Sequence, residues 1–343
     1  MRFFLLGPVE VWHDGRRVSL GGPQRRDLLA VLLLNANRVV ATDRLVDLLW
    51  GERAPASARS LLQGCVAQLR RTLHHGDWRP LVTSPPGYLL RVRPGELDLD
   101  RFEELTAAAG RSAADGRLVE AAGGLYEALS LWRGDPLDGI GLEICRVEAD
   151  RLAERRLATL EQRIDVDLRL GRQLGLVAEL RGHVRAHPYR ERLWAQLMVA
   201  LQLADRQTDA LAAYQEVRQI LVDQLGVDPG AVLRKLEHAV LAGADVLTAY
   251  ARLRGFAAPT APGGTSPAAQ TDSTAQTDST AHTSSTAQTS PAGTTDPPVP
   301  AQLPPPVPAF VGRAELLGVL DRPVPAGGVA VLVGGAGIGK PKR

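Results

Sequence analysis

The 343-residue chain is poor in cysteine, lysine and aromatic residues, and what it lacks excludes several classes at once. Two cysteines, Cys65 and Cys145, cannot build a disulfide framework, so a small stapled secreted fold is ruled out. Both sit in helical patterns and read as small buried hydrophobes rather than nucleophiles. Only Lys235, Lys340 and Lys342 are lysines, so the basic charge is carried almost wholly by arginine. No stretch of about 18 apolar residues exists to span a bilayer. The opening MRFFLLGPVEVW is too short for a signal peptide, and Glu10 and Trp12 interrupt it where a cleavage region should stand, which points to a cytoplasmic protein. There is no serine elbow, no paired-carboxylate motif and no cysteine with partners, and His183, His187 and His238 have no companions at metal-ligand spacing. No enzyme, cofactor or metal is expected. Hydrophobic residues nevertheless make up 45% of the chain, enough for two or three packed domains.

A net charge of +2 conceals an asymmetry. Residues 1–93 hold 14 arginines against 7 acids, a balance of +7, whereas residues 94–256 balance at −5, with Pro94-Gly95 marking the change. A basic module joined to an acidic one suggests that the first meets a polyanion and the second meets protein. From 257 to 308 the composition turns to Ala, Thr, Ser, Gln and Pro with the repeat AQTDST-AQTDST-AHTSST-AQTS, which cannot bury enough surface to offset chain entropy. Such a segment is expected to be a disordered tether.

Within the basic module, RFFLLGPVEVW and RRVSL read as strands separated by the turn signal His13-Asp14-Gly15. Helices are predicted from Pro23 to Asn35, after Thr42 as N-cap, and from about Ala56 to Leu73. A second hairpin follows, with Leu81-Val82-Thr83 and Tyr88–Val92 flanking Ser84-Pro85-Pro86-Gly87. This succession is the layout of a winged helix-turn-helix, whose third helix enters the major groove of double-stranded DNA while the hairpin lies against the neighbouring backbone. On that helix Leu62, Val66, Leu69 and Leu73 fall on one arc and should face the core. Ser60, Gly64, Ala67, Gln68 and Arg71 fall on the opposite arc, flanked by Arg59, Gln63 and Arg70. Gln68 can pair with an adenine edge and the arginines can neutralise phosphates, with Tyr88 and Arg91 extending the surface onto the wing. Gly64 admits two readings, close approach of the backbone to base edges or packing beneath a neighbouring element.

The runs FLLGPVEVW, LLAVLLLNANRVV, LVDLLWGE, PASARSLLQGCVAQLRRTL and TSPPGYLLRV resemble the OmpR-type winged-helix domain of the Streptomyces antibiotic regulatory proteins. In that family the matching third helix usually carries Arg at the position of Gln68 and a larger residue at that of Gly64. The resemblance thus implies DNA binding without fixing the target sequence. It also implies that the loop 51–55 is turned toward RNA polymerase.

The acidic module reads as consecutive helices at about 100–113, 117–132, 143–170, 173–187, 191–204, 207–225 and 229–242. Arg172 and Arg206 stand 34 residues apart, the period of a tetratricopeptide repeat, and Trp194, Leu197, Ala210 and Tyr214 fit its packing positions. For each of these, ordinary core packing is the expected role. The stretch 187–241 is similar to the bacterial transcriptional activator domain of the same regulators, which implies dimer formation and activation.

Beyond the tether, PAFVGRAELLGVL and VAVLVGGAGIGK resemble the opening of a STAND-type nucleotide-binding domain. Gly334, Gly339 and Lys340 have the spacing of a phosphate-binding loop, but Pro341 stands where the motif needs a hydroxyl for Mg²⁺. A truncated remnant without nucleotide hydrolysis is expected. The expected architecture is therefore mainly α with a small α+β part. A winged helix (1–96) precedes an all-α tetratricopeptide-like domain (97–250), a disordered linker (251–308) and a P-loop remnant (309–343). The leading expectation is a transcriptional activator of an antibiotic gene cluster that binds promoter direct repeats as a homodimer and recruits RNA polymerase. A nucleotide-regulated signalling ATPase fragment and a helical-repeat scaffold are the alternatives.

Overall fold

The computed structural model describes residues 1–255. The repeat-rich linker beyond 255 and the phosphate-loop residues Gly334, Gly339 and Lys340 lie outside the described residues. The chain opens with a three-stranded antiparallel sheet of β1 (Arg2–Phe4), β2 (Glu10–His13) and β3 (Arg16–Arg17). Asp14 and Gly15, both at positive φ (47° and 75°), make the two-residue turn that matches strand twist and pairs His13 with Arg16. The run RFFLLGPVEVW, expected as one strand, is two. It breaks because the amides of Leu5 and Leu6 donate to the carboxylate of Asp98 at 2.8–3.0 Å rather than to a neighbouring strand.

Three helices follow: α1 (Pro23–Leu34), begun by proline, α2 (Thr42–Trp50) and α3 (Ala58–Leu73). Thr42 is the first residue of α2 rather than its cap, and its hydroxyl donates to Pro86 O at 3.1 Å. Between α1 and α2 lies β4 (Val39–Ala41), a strand absent from the expected layout. It joins β5 (Leu81–Ser84) and β6 (Gly87–Leu90) in the order β4-β6-β5. A side chain at Gly87 would place its Cβ 1.8 Å from Val40 O, so the close approach of β6 to β4 requires glycine there.

The rest is helical: α4 (Asp98–Ala114), α5 (Leu118–Ser130), α6 (Glu143–Arg169), α7 (Gln173–Ala186), α8 (Glu191–Leu203), α9 (Gln207–Leu225), α10 (Ala231–Leu241) and α11 (Val246–Arg254). Seven were expected within a few residues; α11 was not. Three turns share one construction. Gly116, Gly171 and Asp205 adopt positive φ, and the following Arg117, Arg172 and Arg206 donate their amides to carbonyls five residues back, at Ser112, Asp167 and Leu201. This closure satisfies carbonyls left open at a helix end, and it explains why a Gly/Asp-Arg pair recurs. Trp194, Leu197, Ala210 and Tyr214 are buried, as expected of packing positions.

One apolar core extends from Phe3 through the α3 leucine stripe to Phe102, Trp132 and Leu152, so the winged part and the first helices of the acidic part share a hydrophobic interior. A second core lies between Ile164 and Tyr250. Cys145 belongs to the first, where burial pushes its thiol up to about 11, which leaves it protonated and unreactive.

Asp98 fastens the seam. Burial pushes its carboxyl up to about 6, against the opposing pull of the Leu5 and Leu6 amides and of Arg133. A folded-state value above the unfolded one near 3.8 means that this group's contribution to stability is complete at pH below the unfolded value and is lost as pH rises through 6. Between pH 5 and pH 7 the stability of wild type relative to Asp98→Asn should therefore fall by about 1 kcal/mol. Urea unfolding of both proteins at the two pH values measures it, and a constant difference would refute the assignment.

Candidate nucleic-acid interface

Helix α3 is amphipathic in the sense its sequence dictates. Leu62, Val66, Leu69 and Leu73 are buried against α1 and α2, with Ala58 at the first turn. The opposite arc is open to solvent: Arg59, Ser60, Gln63, Gly64, Ala67, Gln68 and Arg71 are all exposed, and the acidic helices do not cover them. A Cβ placed at Gly64 meets nothing within 4 Å, which removes the reading of a packing glycine and leaves an open backbone on the outer face.

Two flanking arginines are held by protein partners. Arg59 Nη2 meets Asp43 Oδ1 at 2.5 Å, linking the first turn of α3 to that of α2. Arg70 is half-buried: its Nε donates to Leu81 O at 3.1 Å, its Nη2 donates to Thr83 Oγ1 at 2.6 Å, and its guanidinium stands 5.8 Å from the Tyr88 ring centre. Arg70 is thus a strut that sets the angle between α3 and the β5–β6 hairpin. Arg71 and Arg91, in contrast, are exposed and have no ion pair among the described residues.

Tyr88 does not belong to the exposed surface expected for it. It is 8% exposed and packs in the first core, because the alternation of β6 turns Tyr88 and Leu90 inward and leaves Leu89 only partly covered. A basic residue was missed instead. Arg79 is exposed and, with Arg70, Arg71, His74 and Thr83, lines the cleft between the end of α3 and β5. Its position two residues before the first wing strand was the available signal. The cleft carries three guanidinium groups and no carboxylate, a lining suited to a phosphate backbone. On the far side Arg93 stacks over Trp78 at 3.9 Å, which orders the loop leading into the wing. Residues 51–57, between α2 and α3, form a short 3₁₀ turn (Gly51–Arg53) and an exposed loop.

The fold agrees with known proteins. The model of the family described as "Transcriptional regulatory protein, C terminal" matches residues 15–90, and that of the bacterial transcriptional activator domain matches residues 97–241. The regulatory protein DnrI of Streptomyces peucetius is 40% identical over 251 residues, covering 70% of this chain and 92% of that protein. The regulatory protein AfsR of Streptomyces coelicolor is 41% identical over 242 residues, which is 70% of this chain but only 24% of AfsR. The transcriptional regulatory protein EmbR of Mycobacterium tuberculosis is 39% identical, and this chain covers 63% of its length. The solved structure of that EmbR in complex with a low-affinity phosphopeptide matches with a TM-score of 0.70 at 36% identity, over 74% of this chain and 69% of the other. With both domain models matched in order and DnrI aligned over nearly its full length, the chain belongs to the Streptomyces antibiotic regulatory protein family.

Proposed function

We propose that this protein is a cytoplasmic, non-enzymatic transcriptional activator of an antibiotic gene cluster. Residues 1–96 bind promoter DNA, and residues 97–250 support a homodimer on direct repeats and contact RNA polymerase together with the loop 51–55. The observation that carries the reading is the uncovered outer face of α3, with Arg71 and Arg91 beside it and without an ion pair among the described residues. In this reading α3 enters the major groove, Gln68 reads a base edge, and Gly64 and Ala67 let the helix backbone approach. Arg71, Arg79 and Arg91 neutralise phosphates. Arg59 reaches phosphate only by leaving Asp43, and Arg70 contributes by holding the wing in place.

Genomic footprinting supplies the operator, and mobility shifts on that fragment across a salt series test the roles. Wild-type affinity should fall steeply from about 50 to about 200 mM salt as counterions are released. Arg71→Ala should weaken all sequences alike and reduce the salt slope by about 1. Gln68→Ala should instead cost about 1–3 kcal/mol on the operator alone and bring it toward unrelated DNA. Binding that is insensitive to salt and to both substitutions would overturn the proposal.

A further inference from the structure

Among the described residues, one cluster of metal-ligating side chains lies outside the DNA-facing surface. His13 at the end of β2, Asp14 in the β2–β3 turn and His75 just beyond α3 bring one potential ligand atom each to within 4.8 Å of one another. The imidazole rings of His13 and His75 lie 3.8 Å apart between centres, tilted at 45° to one another, and His13 Nδ1 stands 3.2 Å from Asp14 Oδ2. The two histidines are 62 residues apart in the chain, so their meeting is a product of the tertiary fold rather than of local sequence. Both anchors are structured. Asp14 is fixed by its left-handed backbone (φ 47°), and His75 exchanges backbone hydrogen bonds with Trp78 at 3.2 and 2.9 Å.

From this geometry we infer that His13, Asp14 and His75 bind a divalent ion of the zinc class. Two imidazoles and one carboxylate suit zinc or cobalt better than magnesium or calcium, which prefer all-oxygen sites. Ligation at about 2.0–2.1 Å needs the three atoms somewhat closer than they stand. Rotations about side-chain bonds supply this, since Asp14 and His75 are exposed. Water completes the coordination on the open side. The bound ion fastens the β2–β3 turn to the His74–Trp78 loop, where Trp78 already carries Arg93. It therefore stiffens the connection between α3 and β5, which sets the spacing of helix and wing. The binding site itself stands independently of the DNA-binding proposal.

The test uses the full chain stripped with a chelator, titrated with ZnCl₂ by calorimetry and with Co²⁺ by visible absorption. Wild type should take up one ion at this site. Thermal unfolding should shift upward by about 5 °C at a hundredfold excess of zinc over its Kd. His75→Ala and His13→Asn should lose that ion and the shift while keeping the metal-free unfolding temperature, which shows that they fold. His74→Ala and His183→Ala should retain both. Undiminished zinc uptake by His75→Ala, or no uptake by wild type up to roughly millimolar zinc, overturns the inference.

Discussion

Replacing Asp165 with alanine should destabilise the protein by about 3–5 kcal/mol, the range for removing one partner from a buried ionic network. Asp165 lies on the inner face of α6 and satisfies three donors on two other helices at once. Its Oδ1 accepts from Gln196 Nε2 of α8 at 2.6 Å and from the Tyr250 hydroxyl of α11 at 2.8 Å. Its Oδ2 accepts from Arg192 Nη2 at 2.5 Å. Glu161, one turn earlier, is also buried and takes Arg190 Nε at 2.7 Å and Arg192 Nη1 at 3.2 Å. Alanine at 165 leaves the Tyr250 hydroxyl without that acceptor, removes one of Gln196's two and leaves Arg192 with Glu161 alone. Desolvated donors that lose an acceptor cost more than the hydrogen bond is worth when made. Asp165→Asn keeps an acceptor for Gln196 and Tyr250 but removes the charge facing Arg192, so its loss should be intermediate. Asp150→Ala, on the exposed side of the same helix, should stay within about 0.5 kcal/mol of wild type. Urea unfolding of the three variants decides it. A loss below about 1 kcal/mol for Asp165→Ala would mean that water replaces the network at no cost.

That network was not legible in the sequence, for a physical reason. Glu161, Arg163, Asp165 and Asp167 alternate along α6 as charges do on a solvated face, yet all four are buried. The partners that make burial tolerable for Glu161 and Asp165 come from 27 to 85 residues later in the chain, at Arg190, Arg192, Gln196 and Tyr250, while Arg163 and Asp167 are held by Tyr126, Arg172 and Glu179. The α3 stripe was legible because its period is local: leucines and valine at 62, 66, 69 and 73 need only one wall to pack against. The wing hairpin was announced by Pro85-Pro86-Gly87 for the same reason. By contrast, β4 is three residues long and exists through its pairing with β6, a contact that Gly87 permits from 47 residues away. Tyr88, read with Arg91 as an outward extension of the basic surface, is instead buried. The two-residue alternation of Tyr88, Leu90 and Val92 against Arg91 and Arg93 carried the correct orientation. Arg70 shows the limit on single-helix reasoning, since its flank position is compatible with solvent until β5 supplies Leu81 O and Thr83 Oγ1.

The largest effect on DNA binding is expected from adding a charge rather than deleting one. Ala67→Glu places a carboxylate on the exposed arc of α3, between Gly64 and Gln68 and one turn before Arg71. In the free protein the change is mild, because glutamate is a good helix former and can pair with Arg71 at i,i+4, so stability should move by no more than about 0.5 kcal/mol. In the proposed complex the same carboxylate is pressed against base edges and phosphates. Any pairing with Arg71 then withdraws that arginine from the duplex. Juxtaposed like charges in a desolvated interface cost several kcal/mol, so operator affinity should fall by about a hundredfold or more, close to 3 kcal/mol. Val119→Glu, on an exposed position of α5, makes the same change in net charge away from α3 and controls for long-range electrostatics. Its affinity should stay within about threefold of wild type, since screening confines such effects to roughly a Debye length. If both substitutions weaken binding equally, the loss reports net charge alone. In that case, or if Ala67→Glu binds as wild type does, the outer face of α3 is not the surface that meets DNA.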